Sequence, residues 1–278
     1  MHHRPLLTFL RRPAFTAAPP ARLTPWEWVG WVGLLIVVAV IGSALDTLFE
    51  RTFHWRVPAN SVWMAFLRHP SWVVVTVLLP APALEELGFR AFLSSAPRFV
   101  FLGLAFFPVY IYIYIRNNLI RVPAPTSPAA AVSGYFHAFW IVLAAAAISL
   151  LLYRYRRDGV ADFFRRRAGW IFWISCAVFG AEHTFLYTNA FAWWGFVLVL
   201  PQFLAGVGLA YIRVSYGLRW SIASHYVFDA LAVLPSWLYL SAAPHGPLYG
   251  ALLAVVVALL GIMVYGLVVL GRVVRLRW

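Results

Sequence analysis

The chain alternates long apolar runs with short polar breaks. Eight runs stand out, at roughly 26–49, 71–95, 99–115, 134–153, 170–189, 191–212, 218–240 and 246–271. Each is close to the ~20 residues that cross ~30 Å of hydrocarbon. Backbone groups have no water to bond at that depth, so each run is expected to be a helix. The pattern predicts an all-α fold: a polytopic transmembrane bundle of about eight spans. Residues 1–25 read as a cytoplasmic tail, 26–271 as the bundle and 272–278 as a second cytoplasmic tail. The first run is long enough to remain as a helix rather than act as a cleaved leader. Pro80, Pro82, Pro108 and Pro201 lie in or beside runs and are expected to kink them.

Composition strengthens the membrane reading. Hydrophobic residues make up 63% of the chain and charged residues 11%, whereas a soluble domain carries about a quarter charged. The net charge is +13, and all 22 basic residues are arginine. They do not line one soluble face, as a nucleic-acid groove would require. With the N-terminus inside and eight spans, 17 arginines fall in or beside inside segments, six of them between 154 and 167. The five on the other side are Arg51, Arg56, Arg68, Arg116 and Arg121. The positive-inside rule then puts both termini in the cytoplasm of a cell in whose inner membrane the chain sits. A single cysteine, Cys176, excludes an internal disulfide or a cysteine-rich metal site. It reads as a small core residue.

Most acidic residues lie inside or beside the runs: Asp46, Glu85, Glu86, Glu182 and Asp229. A charge at mid-membrane costs about 2.5–3.5 kcal/mol on insertion scales, so several together point to a function. Three groups carry the pattern. In Glu85-Glu86-Leu87-Gly88-Phe89-Arg90, Glu86 and Arg90 are four apart and can pair on one helix face. Glu85 points about 100° away and is left free. Phe179 and His183 are likewise four apart, and so are His225 and Asp229. At 1.5 Å per residue, Glu85 lies ~15 Å from the inner end of its run and His183 ~20 Å, with His225 and Asp229 at ~10 and ~16 Å. Three separate helices therefore bring acid and base to overlapping depths. Peptide hydrolysis needs such a base for water, and donors for the oxyanion.

The three groups, EELGFR, FGAEH and HYVFD, resemble in order and spacing the EExxxR, FxxxH and HxxxN/D motifs of the CPBP family. These are the CAAX-processing and bacteriocin-processing (Abi) intramembrane peptidases. The resemblance covers about 71–240. It implies that Glu85 activates water and His183 holds it, while His225 and Asp229 stabilise the oxyanion. Glu86 and Arg90 would support the site or bind substrate. Asp229 departs from the asparagine of the prenyl-protein peptidases, because an ionised Asp cannot donate. Orienting His225 is its alternative role.

No cofactor is expected, with zinc on two His and a carboxylate as the alternative. The implied partners are the bilayer and a membrane-embedded or lipidated peptide substrate. No nucleic acid is implied, and the sequence specifies no oligomeric state. A non-catalytic membrane protein that binds partners, in immunity or envelope assembly, is the competing reading. His137, Glu182 and Asp46 match no motif and read as structural; Phe179 reads as core packing. Trp26, Trp28, Trp31, Trp193 and Trp194 read as interface markers.

The topology is tested by reporter fusions after Trp278 and within 154–168. Both are expected to report cytoplasm, and a periplasmic signal from 154–168 would refute the eight-span arrangement.

Overall fold

The computed structural model describes residues 6–15, 22–53, 80–114, 128–186, 199–241 and 247–275. Every regular element among them is helical, and none is a strand. We number the helices α1 (Leu6–Arg11), α2 (Pro25–Phe53), α3 (Ala81–Glu85), α4 (Pro97–Tyr114), α5 (Pro128–Arg166), α6 (Ala168–Glu182), α7 (Leu200–Tyr216), α8 (Leu218–Ser241) and α9 (Pro247–Arg275). A π-helical turn, Glu86–Arg90, continues α3, and a 3₁₀ turn, His183–Leu186, continues α6.

Local sequence explains several boundaries. The α2 start is a capping box. Thr24 Oγ1 donates to Glu27 Oε2 at 2.8 Å and accepts from the Glu27 backbone N–H at 3.3 Å. Pro25 occupies the first helical position, where its missing N–H costs nothing. Pro82 lies in the first turn of α3 and Pro201 in that of α7, with Pro80 just before α3. These three prolines therefore start helices rather than kinking them. Between α7 and α8 stands one residue, Gly217, at φ 102°. That left-handed conformation favours glycine, and it lets the chain reverse without a loop.

The structure corrects three boundaries read from sequence. The second run does not stay helical to 95: regular winding ends at Arg90, and residues 91–96 form turns and bends. Residues 154–166 are not a loop. They extend α5 to Arg166, with a kink at Arg156 (φ −137°, ψ 15°). The segment before α2 is not a free tail, because Phe9 and Phe15 are buried. Phe9 meets Phe172 and Tyr211 edge-on, each at 5.3 Å between ring centroids. Residues 71–79 of the second run, 191–198 of the sixth, Trp193 and Trp194, and most of the two longest connectors lie outside the described residues.

Helix α7 sits at the centre, packed against α6, α8 and α2. Its Ala205, Gly206, Leu209, Ala210 and Ile212 are buried. Helix α9 lies along α2, and α4 lies along α5. Of the tryptophans read as interface markers, Trp26 is exposed but Trp31 is in the core against Tyr211, 4.8 Å between centroids. Trp28 donates its indole N–H to Ser224 Oγ at 2.9 Å. Those two hold α2 to α7 and α8 rather than mark an interface.

Among the described residues, two helices are long and apolar enough to cross a membrane, Pro25–Thr52 and Phe139–Arg166. Along α5 the exposed side chains include Phe139, Trp140, Leu143, Ile148, Leu150 and Leu151. A contiguous apolar face of that extent calls for a cover of lipid or protein. Arg90 and Arg213, counted with the inside-segment arginines, are buried within the protein. They do not face headgroups, and the direction of the arginine asymmetry is the same without them.

The α2–α9 contact is close enough to test. A Cβ added at Gly266 would lie 2.5 Å from the backbone at Gly33 and Leu34, atoms that cannot rotate away. Gly266→Val is expected to force the helices apart and destabilise by about 1–3 kcal/mol, the usual cost of overpacking. Gly261→Val, with open space around its Cβ, is expected to leave thermal unfolding in detergent close to that of the parent.

Candidate functional site

The site is organised by the π turn after α3. Its closing bond runs from the Ala91 N–H to the Glu86 carbonyl at 2.9 Å, one residue wider than an α turn. Such turns are rare and gather at functional sites. The helix stops here, so its last carbonyls need donors. Arg213 of α7 supplies them: Nε donates to the Arg90 carbonyl at 3.0 Å and Nη2 to the Ala91 carbonyl at 2.9 Å. The Arg213 guanidinium also lies 4.8 Å from the Phe99 ring centroid. Ser175 of α6 donates to the Phe89 carbonyl. Neighbouring helices thus clamp the chain at the point where it leaves the turn.

Within the turn, Glu86 and Arg90 are both fully buried, with Arg90 Nη1 3.1 Å from Glu86 Oε1. The same oxygen lies 3.0 Å from His225 Nδ1, and the other oxygen accepts from Ser221 Oγ. A carboxylate only accepts, so Nδ1 of His225 carries the proton of this bond. The Arg90 guanidinium lies 3.6 Å from the centre of the Phe179 ring, a cation–π contact. Gly206 makes room for it. A Cβ there would come within 2.8 Å of Phe179 and 3.2 Å of Arg90 Nη2.

Glu85 is arranged differently. Its Oε2 is buried and makes no hydrogen bond. That oxygen lies 3.7 Å from His225 Nε2, which is also 3.7 Å from Asp229 Oδ1. Glu85 belongs to a second group as well. One ligand atom from each of Glu85, Glu182 and His183 lies within 4.8 Å of the others. His183 Nδ1 is 2.7 Å from the Phe179 carbonyl. The carbonyl must accept, so Nδ1 is protonated and Nε2 of the neutral ring keeps its lone pair. The Phe179 ring packs against both imidazoles, 4.7 Å from His183 and 5.9 Å from His225 between centroids.

All six residues singled out from the sequence therefore come together, from the α3 turn, the end of α6 and α8. Glu86, Arg90 and His225 form one bonded group, with Asp229 at its edge. His183 reaches Glu85 but has no direct bond to His225; Phe179 stands between them. Four further residues belong here that sequence reasoning passed over or set aside. Glu182, read as structural, joins Glu85 and His183. Phe179, read as packing, also carries the Arg90 cation. Ser221 and Arg213 had no motif to mark them. The acid next to a motif histidine was the one available signal for Glu182. On a straight α-helix adjacent side chains diverge by about 100°. The backbone changes winding at His183, where the α-helix passes into a 3₁₀ turn.

No family model matches the chain, and no curated protein or solved structure matches it.

Replacing Arg213 by Met keeps length and bulk while removing the side-chain donors to both carbonyls; the Arg90 carbonyl keeps the Leu93 N–H at 3.0 Å, and the Ala91 carbonyl loses Nη2. A buried group left unsatisfied costs about 1–3 kcal/mol, so unfolding in detergent should show a loss of that size. Arg219→Met, at an exposed position two residues into α8, should change stability by less than about 0.5 kcal/mol.

Proposed function

We propose that this chain is a polytopic inner-membrane protein of about eight spans that acts as an intramembrane endopeptidase of the CPBP type. Its substrate class is a membrane-embedded or lipidated peptide. One observation carries the reading: two adjacent buried glutamates are in opposite states of engagement. Glu86 is consumed by Arg90, His225 and Ser221. Glu85 keeps an oxygen without a hydrogen bond, next to one imidazole and grouped with another. A carboxylate held rigid but unspent is what a general base requires.

In this reading a water sits between Glu85 and the lone pair of His183 Nε2. Glu85 takes its proton as the oxygen attacks the peptide carbonyl carbon. The carbonyl π electrons move to oxygen, and His225, protonated on both ring nitrogens and so positively charged, donates its Nε2–H to that oxyanion. Collapse restores the carbonyl and breaks the C–N bond, and Glu85 returns the proton to the leaving nitrogen. Asp229, at 3.7 Å from His225 Nε2, acts as the charged partner that holds His225 as a donor. Glu86, Arg90 and Phe179 fix the other side of that ring. Burial supports the arrangement because these dipoles and charges act without solvent screening.

Glu85→Gln keeps the shape and removes the base. Peptide hydrolysis is expected to fall by about 10²–10⁴-fold, the usual contribution of a general base. The measurement is quantitative comparison of membrane peptides in cells carrying the parent and the variant. Identical peptide profiles would leave the non-catalytic, partner-binding reading. Asp229→Asn is expected to lower the rate, since the amide keeps the geometry but not the charge; full retention would return Asp229 to the role of oxyanion donor.

A further inference from the structure

We propose that Glu85, Glu182 and His183 form a site for one divalent first-row cation, at the place where the endopeptidase reading puts its water.

This inference concerns the same cavity as the proposed function and rests on it only for the consequence of occupancy. The site itself stands on geometry. One ligand atom from each residue lies within 4.8 Å of the others. Zinc holds oxygen and nitrogen ligands at about 2.0–2.2 Å, so ligand atoms sharing it at tetrahedral angles stand roughly 3.3–3.6 Å apart. Side-chain rotation of about an ångström closes that difference, and each of the three stands where the helical winding changes. Glu85 ends α3, Glu182 ends α6, and His183 opens the 3₁₀ turn.

A second, independent feature points to a cation. A metal-ligating histidine donates its other ring N–H to a carbonyl or carboxylate, which fixes the tautomer and aims the ligand. His183 Nδ1 makes that bond to the Phe179 carbonyl at 2.7 Å, freeing Nε2. The third feature is charge. Two carboxyl groups share this place, and Glu85 Oε2 has no hydrogen-bond partner. Among the described residues no arginine pairs with Glu182, and Arg90 is committed to Glu86 and Phe179. A divalent cation bound by two carboxylates and a neutral imidazole gives a group of zero net charge. In a site shielded from water that neutralises the charge of both ionised acids.

The ligand set differs from two histidines and a carboxylate, because His225 is turned to Glu86 and Asp229. Glu182, outside the three sequence motifs, is the added ligand. Occupancy has a definite consequence. A Glu85 oxygen bound to the cation cannot accept a proton from water and the other oxygen becomes less basic, so occupancy is expected to slow glutamate-activated hydrolysis.

The test is calorimetric titration of zinc into the purified full-length protein in detergent, with helical content and thermal unfolding measured for every variant. One saturable site is expected, weakened by at least about tenfold in Glu182→Gln and in His183→Asn, a loss at the low end of that seen when even a supporting residue of a metal site is changed. His225→Asn is expected to bind zinc as the parent does. Absence of saturable binding overturns the proposal. So does binding unchanged in Glu182→Gln, as zinc held by His2 and His3 would be. So does loss of binding in His225→Asn alone. These outcomes leave the peptidase reading intact, since that reading is decided by the peptides accumulating in Glu85→Gln.

Discussion

Glu86 and Arg90 carry opposite charges with no exposure to solvent, and the surrounding helices supply the groups that face them. Removing two ions from water costs several kcal/mol each even after relaxation. Their mutual attraction offsets this only when the remaining lone pairs and faces are also used. Here His225 and Ser221 of α8 complete the carboxylate and the Phe179 ring of α6 receives the guanidinium face, while among the described residues the Arg90 nitrogens have the Glu86 ion pair but no hydrogen bond. The pair therefore ties three helices to one point. A lateral shift of α6 would take Phe179 from the guanidinium and a shift of α8 would take His225 and Ser221 from the carboxylate, so the cluster favours one relative position of these helices.

Close approach is what the cluster demands of its neighbours. Gly206 gives the Arg90–Phe179 stack its space, and Gly180 lets α6 meet α7, where a Cβ would fall 2.9 Å from Phe203. Arg213 then terminates the π turn from α7, so the same helix that makes room for Arg90 also holds its carbonyl. Glycine in a helix is locally unfavourable. Its recurrence at these contacts reflects packing that side chains would block.

The candidate chemistry sits where regular winding ends. Glu85 closes α3 before the π turn, and Glu182 closes α6 before the 3₁₀ turn. Changes of winding re-aim side chains without moving the helix axes. This gives the site two unlike acids from one dipeptide: Glu86, locked in a bonded network, and Glu85, open to His225 on one count and to Glu182 and His183 on another. Burial of both makes their different partners, not their identical chemistry, decide what each can do.

Helical content was legible in the apolar runs, whose length exceeds that of ordinary strands. The Glu86–Arg90 pairing followed from spacing of four, and Glu85's separation from it followed from the angle between adjacent side chains. Local chemistry also set the α2 capping box and the turn at Gly217. Tertiary structure decided the rest. Phe9 is buried only because Phe172 and Tyr211, far along the chain, meet it. Arg213 and Ser221 matter because α7 and α8 bring them to a turn more than a hundred residues earlier. Glu182 joins Glu85 because two helices end beside each other. No periodicity records such meetings: a sequence pattern reports which face a residue occupies on its own helix, whereas a site depends on how separate faces are packed together.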